Sequence, residues 1–204
     1  MEQNQNYKED LSEIRNIMEK SSRFISLSGA SGIIIGIYAI VGTYFIYRLG
    51  YLSESFTYEG DLNTIQSKGF ISVGLTVLVL ALGSAIALSY KKAKRMNLPL
   101  WDHTAKRLII SLLIPLVAGG LFILILLSQG EIKLLAPLTL IFYGLTLVNA
   151  SKYTYNDLKV LGITEVILGL LGSYFIGYGL VFWTIGFGVA HIVYGVWMYY
   201  KYER

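Results

Sequence analysis

The chain has 204 residues, of which 54% are hydrophobic and 15% charged, against about a quarter charged in an ordinary soluble domain, so a soluble domain is excluded. The absence of cysteine excludes disulfides, thiol catalysis and cysteine-held zinc, haem or iron–sulfur groups. A net charge of +4 is explained by where the bases sit along the chain and gives no reason to expect nucleic acid as a partner.

Residues 1–23 are polar and are expected to be a cytoplasmic segment. Within them Leu11, Ile14 and Met18 recur at helical spacing with Ile17 beside them, which predicts an amphipathic helix. Glu9, Asp10, Glu13 and Glu19 offset its bases, so it is expected to rest on the bundle or on a cytoplasmic protein partner more than on anionic lipid.

Residues 24–47 carry no formal charge and are long enough to cross a bilayer, which takes about 20 residues. No A-x-A-like cleavage site follows, so this first helix is expected to be retained. Ser28, Gly32 and Gly36 recur every fourth residue along it, a small-residue stripe suited to close helix packing within the bundle or in a homo-oligomer. Residues 48–68 then form the longest connection. Its Glu54, Glu59 and Asp61 lack the spacing of a calcium loop, so a solvated loop is expected.

Residues 69–90 make the second span and are followed by a strongly basic connection containing Lys91, Lys92, Lys94, Arg95, Lys106 and Arg107. These bases act as a positive-inside determinant, or as a dock for anionic lipid or an acidic partner. Asp102 is placed to cap the third helix, expected over residues 108–129, and the fourth is expected over 134–151. Pro115 and Pro137 are expected to kink helices three and four, because each removes a backbone donor. Asn156 or Asp157 is placed to cap helix five, expected over residues 159–177, with helix six over 180–200 and a cytoplasmic tail at 201–204. The fold class is therefore all-α, a polytopic six-helix transmembrane domain over residues 24–200.

Orientation follows from the bases. With both ends of the chain cytoplasmic, 14 of the 17 Lys and Arg residues lie inside and only Arg48, Lys68 and Lys133 outside. Tyrosine and tryptophan agree, with Tyr44, Tyr47, Tyr174, Tyr178 and Trp183 at the outer ends and Tyr90, Trp101, Tyr153, Trp197 and Tyr200 at the inner ends.

Apart from Lys159 at the first position of helix five, Glu165 is the only formal charge inside any of these spans. An ionisable group at that depth is expected to face the bundle interior and to find a partner. It begins a spacing-four series with Gly169, Ser173 and Gly177, while Thr184, Gly188, His191 and Gly195 form a comparable stripe on helix six. Glu165 and His191 stand equally far from the turn at Tyr178, so they are expected to sit level and to pair, extended by Asn149 or Tyr194. Two readings stay open for the pair: an interhelical contact that fixes packing register, or a proton or ligand site.

Phe175 to Gly179 reads FIGYG and looks like a potassium-channel filter. The threonine is missing and the preceding residues are needed to span the membrane, so a glycine turn is the better account. No phosphate-binding loop, zinc-protease or nucleophile-elbow motif is present in the sequence. His103 and His191 lie too far apart along the fold to share a metal. No catalytic residue, cofactor or metal site is expected, and enzyme activity is not.

Three stretches, IRNIMEKSSRFISLSGASG, LPLWDHTAKRLIISLLIPLVAGG and LIFYGLTLVNASKYTYNDLKVLGITEVILG, together resemble a family of small uncharacterised bacterial membrane proteins. The resemblance implies bacterial inner-membrane residence. The last hairpin, GLLGSYFIGYGLVFWTIGFGVAHIVYG, is also similar to the HdeD-type acid-resistance membrane proteins, which implies a stress role. The expected function is that of a non-catalytic binding protein, acting as a sensor, a stress-response component or an accessory subunit of a membrane complex. The alternative is a small proton-linked transporter that uses Glu165 and His191.

Overall fold

The computed structural model describes residues 27–51, 64–97 and 101–204, and among the described residues there is no strand. Six long helices follow one another among the described residues: α1 Gly29–Tyr51, α2 Thr64–Arg95, α3 His103–Ser128, α4 Leu135–Ala150, α5 Asp157–Tyr174 and α6 Gly179–Tyr202. The last of these is continuous but winds as a π-helix over Thr184–Ala190. The expected amphipathic segment and the loop carboxylates Glu54, Glu59 and Asp61 lie outside the described residues.

Four stretches of these helices are long and apolar enough to cross a membrane: Gly29–Arg48, Ile71–Arg95, His103–Ser128 and Gly179–Tyr202. The other two helices are shorter or more charged. α4 has 16 residues, about 24 Å at 1.5 Å per residue, and the 18 residues of α5 include Asp157, Lys159 and Glu165. These two are also the most closely joined pair. A Cβ on Gly162 would stand 2.7 Å from the Gly144 carbonyl oxygen, and one on Gly169 equally close to that of Pro137. A second seam joins α1 to α6, where a Cβ on Gly36 would lie 2.6 Å from the Gly188 carbonyl oxygen and one on Gly32 would meet the Gly195 Cα at 3.0 Å. Glycine alone lets helices approach this closely.

Packing spreads outward from these seams. A buried cluster of Leu108, Leu147, Ala150, Leu158 and Leu161 joins α3, α4 and α5. α2 packs on α1 and scarcely touches α3, and none of its most apolar window is buried.

Helix boundaries depart from the sequence expectation where polar groups intervene. α1 starts at Gly29 and not at residue 24, since Leu27 and Ser28 are not helical and the Gly29 N–H donates to the Glu203 carboxylate at 2.7 Å. α2 runs beyond 69–90 at both ends. α3 starts earlier than 108, where Asp102 caps it by accepting the Ala105 N–H at 2.6 Å. Neither Asn156 nor Asp157 caps α5: the Asn156 side chain makes no cap bond and the Asp157 carboxylate is turned to Lys201 and Tyr202. α5 ends at Tyr174, so Gly177 is not a packing position in the helix. It has φ +101° in the turn, a conformation that glycine adopts without a Cβ penalty.

The two prolines behave differently. Pro137 sits in the first turn of α4, where a missing N–H costs the helix nothing and no kink is required. Pro115 lies inside α3 and cannot donate to the carbonyl four residues earlier, that of Ser111. Asn149 supplies the missing donor, its Nδ2 reaching the Ser111 oxygen at 2.9 Å. Replacing Asn149 with alanine is therefore expected to lower stability by about 1–3 kcal/mol by stranding a buried acceptor. In a Pro115→Ala background the restored helical N–H should remove most of that loss. Thermal unfolding of the four proteins of this cycle measures it, and strictly additive effects would refute the assignment.

Candidate functional site

Helices α4, α5 and α6 each contribute one side chain to a polar cluster in the middle of the bundle. Glu165 comes from α5 and is 0% exposed, and His191 comes from α6 and is 2% exposed. The Glu165 Oε1 lies 3.2 Å from the His191 Nδ1, so the pair expected from the sequence is brought together. The same Nδ1 is 3.1 Å from the Gly186 carbonyl oxygen. A carbonyl only accepts, so Nδ1 carries a hydrogen. On the other side of the ring, Nε2 is 3.0 Å from the hydroxyl of Tyr143 on α4.

Local backbone geometry makes room for the carboxyl. A Cβ on Gly186 would collide with Glu165 Oε2 and with the Leu140 side chain. Gly186 lies in the π-helical stretch, a widened winding that is frequent at functional sites. Neither Glu165 oxygen receives a well-aligned hydrogen bond from the described residues. A buried acid in that state is a group that hydrocarbon would not tolerate without a neighbouring partner.

The other residues singled out by sequence take different places. Asn149 is committed to the Ser111 carbonyl and is not part of the pair. Tyr194 is not part of it either: its buried hydroxyl has no hydrogen-bond partner among the described residues. Tyr143 takes the role expected of them. A signal for it exists in the sequence, since a tyrosine midway along a helix is away from both headgroup levels and needs an internal partner for its hydroxyl. Gly188 and Gly195 face α1 across from Ile40, Gly29 and Ile33, whereas Ser173 bonds back to the Gly169 carbonyl of its own helix at 2.9 Å. Ser28 precedes α1 beside Glu203.

Tyr143 also lines a cavity of about 880 Å³ whose walls come from α1, α2, α3, α4 and the start of α6. Almost all of the wall is aliphatic or aromatic. Phe187 and Trp183 stand with Tyr143 at one side, their rings 4.9 Å apart for Tyr143 and Phe187 and 5.0 Å for Trp183 and Phe187. Phe187 in turn stacks on the His191 ring. The apolar cavity and the polar cluster thus share a wall.

Elsewhere in the bundle, ionic contacts tie helix ends together. Lys92 donates to Glu203 at 3.0 Å and to the Leu27 carbonyl at 2.7 Å, and its side chain is only 10% exposed. It is consequently withdrawn from the basic docking surface expected of it. Lys91, Lys94, Arg95, Lys106 and Arg107 remain exposed. Lys201 and the Tyr202 hydroxyl both donate to Asp157, joining the end of α6 to the start of α5. Partial desolvation pushes the Asp157 carboxyl up, but the Lys201 and Tyr202 hydrogen bonds and the Lys201 charge outweigh it and hold it below the ordinary carboxylate value.

Comparison with protein-family models, with curated proteins and with solved structures finds no match to this chain.

Two outcomes follow from this geometry. Tyr143→Phe removes the partner of His191 Nε2 and is expected to cost about 1–3 kcal/mol, while Tyr194→Phe is expected to be neutral, so equal melting temperatures for the two variants would contradict the assignment. A carboxyl held lower in the folded than in the unfolded chain stabilises above its unfolded pKa of about 3.9, and that contribution is lost as pH falls through the folded value. Acid unfolding of the wild type should accordingly show a steeper stability loss below about pH 4 than Asp157→Asn, and superimposable profiles would show that the contact contributes nothing.

Proposed function

We propose that this chain is an integral protein of the bacterial inner membrane with six spans and both ends cytoplasmic, and that it acts by binding and not by catalysis. Four helices of spanning length support the membrane reading, and the concentration of Lys and Arg on one side supports the orientation. α4 and α5 complete the six as an inner pair, shorter than the hydrocarbon thickness of about 30 Å and accommodated by packing on one another and on α3 and α6.

The observation that carries the binding reading is the cavity of about 880 Å³ whose wall includes Tyr143, the hydrogen-bond partner of buried His191. Ligand sites are typically concave, mostly apolar and provided with few polar groups, at about 300–1,000 Å³. In this reading a lipophilic molecule lodges in the cavity, and the protein serves as a sensor, a stress-response component or an accessory subunit of a membrane complex. The exposed bases from Lys91 to Arg107 are its surface toward anionic lipid or an acidic protein partner.

A second reading is a proton-linked transporter, and it is favoured by one specific observation: a fully buried carboxyl, Glu165, with neither oxygen well hydrogen-bonded. One pair of measurements separates the two. Intact-mass analysis of the protein released from gentle detergent is expected to show one lipophilic molecule per chain, and proton flux into liposomes is expected to be the same for the wild type and Glu165→Gln. A bare chain whose flux is lost on Glu165→Gln would replace the binding reading with transport.

A further inference from the structure

Polar groups in the cavity wall are few and unevenly placed. Thr139 donates to the Ala136 carbonyl of its own helix at 2.6 Å, and the Tyr143 hydroxyl is committed to His191. That leaves the indole N–H of Trp183 and one charged residue, Lys133, which is exposed, lines the cavity just before α4 and makes no ion pair among the described residues. Its neighbours in the wall are Ile132, Leu135 and Ala136, together with Gly179 and Leu180 from the start of α6. No side chain caps the start of α4, where the Leu135 N–H donates to the Ile132 carbonyl. Glu131, two residues before Lys133, is exposed and is not part of the wall.

The opposite part of the cavity carries no counterpart charge. From Lys133 the wall runs past Leu124, Leu121 and Val117 of α3 and Leu78 and Leu82 of α2 to Phe142, Tyr143 and Phe187. Because α2 and α3 scarcely touch, the apolar part opens sideways between them, toward the hydrocarbon of the bilayer in the six-span reading. The result is a cavity with a cation at one mouth and an aliphatic body with lateral access.

We propose, resting on the binding reading above, that the occupant is a single-chain anionic amphiphile of the long-chain carboxylate class, with its head at Lys133 and its chain against Tyr143 and Phe187. Charge complementarity selects the head: one unpaired ammonium at the rim matches one carboxylate, and the contact is charge-assisted. The volume of about 880 Å³ is ample for one such molecule, and the single charged residue in the wall matches an occupant with one charged head. The apolar wall selects the body, and no second charged residue lines the interior.

Trp183 stands in the cavity wall and reports occupancy directly. In phosphatidylcholine nanodiscs, at a pH that ionises the acid, a brominated long-chain carboxylate should quench the fluorescence that Trp183→Phe removes, and should do so saturably. Its methyl ester should bind about tenfold more weakly, and Lys133→Gln should erase that difference. Acid and ester quenching alike, with Lys133→Gln without effect, overturns the anionic head while leaving a binding cavity. Equal quenching by a brominated phosphatidylglycerol overturns the single chain. No saturable quenching by any of these probes overturns the binding reading itself.

Discussion

Hydrocarbon gives helices no hydrophobic reward for associating, so their contacts depend on close van der Waals fit and a few interhelical hydrogen bonds. In this bundle that constraint is met by bare backbone. Gly144 and Gly162 bring α4 onto α5, and Gly32, Gly36, Gly188 and Gly195 bring α1 onto α6. The turn through Gly177 joins α5 to α6, so the two seams share one hairpin. That arrangement sets the position of the polar cluster, because Glu165 rides on the helix of one seam and His191 on the helix of the other. Gly186 provides the last element, a place where a carboxyl can rest against backbone with no Cβ in the way.

Other polar groups are placed by the same need for satisfaction in an environment with little water. Pro115 takes a donor from α3 and Asn149 returns one from α4. The N-terminal N–H of α1 is met by Glu203, whose charge is balanced by Lys92 of α2. That second contact matters for shape. α2 is joined to α1 along its length but scarcely to α3, and Lys92 holds its end toward the chain terminus while the rest stands off to leave the cavity.

Helix number, helix order and the Glu165–His191 pair are all legible in the sequence, because each depends on features with local period: long charge-free runs, a spacing of four, and equal distance from a turn. The residues that complete the site are less so. Tyr143 is one of many tyrosines in the chain, and only its position midway along a helix separates it from those at the headgroup level. The part played by Asn149 depends on which helix lies opposite Pro115, a tertiary fact with no local signature. The kink expected at Pro137 depends on where α4 begins, and a difference of a few residues turns a helix breaker into an ordinary first-turn residue. The widened winding over Thr184–Ala190 also has no reliable sequence mark, yet it lets Gly186 face Glu165 while Gly188 faces α1.

The buried pair and the cavity meet in one side chain. Nδ1 of His191 lies against the Gly186 carbonyl and the Glu165 carboxyl, while Nε2 is bonded to the Tyr143 hydroxyl of α4. One imidazole thus joins α4, α5 and α6. Tyr143 and Phe187 are at once the wall of the cavity and the neighbours of the His191 ring. The hydrogen bond that ties Nε2 to α4 therefore stands directly between the cavity wall and the buried carboxyl, and the packing of the two aromatic rings fixes its geometry.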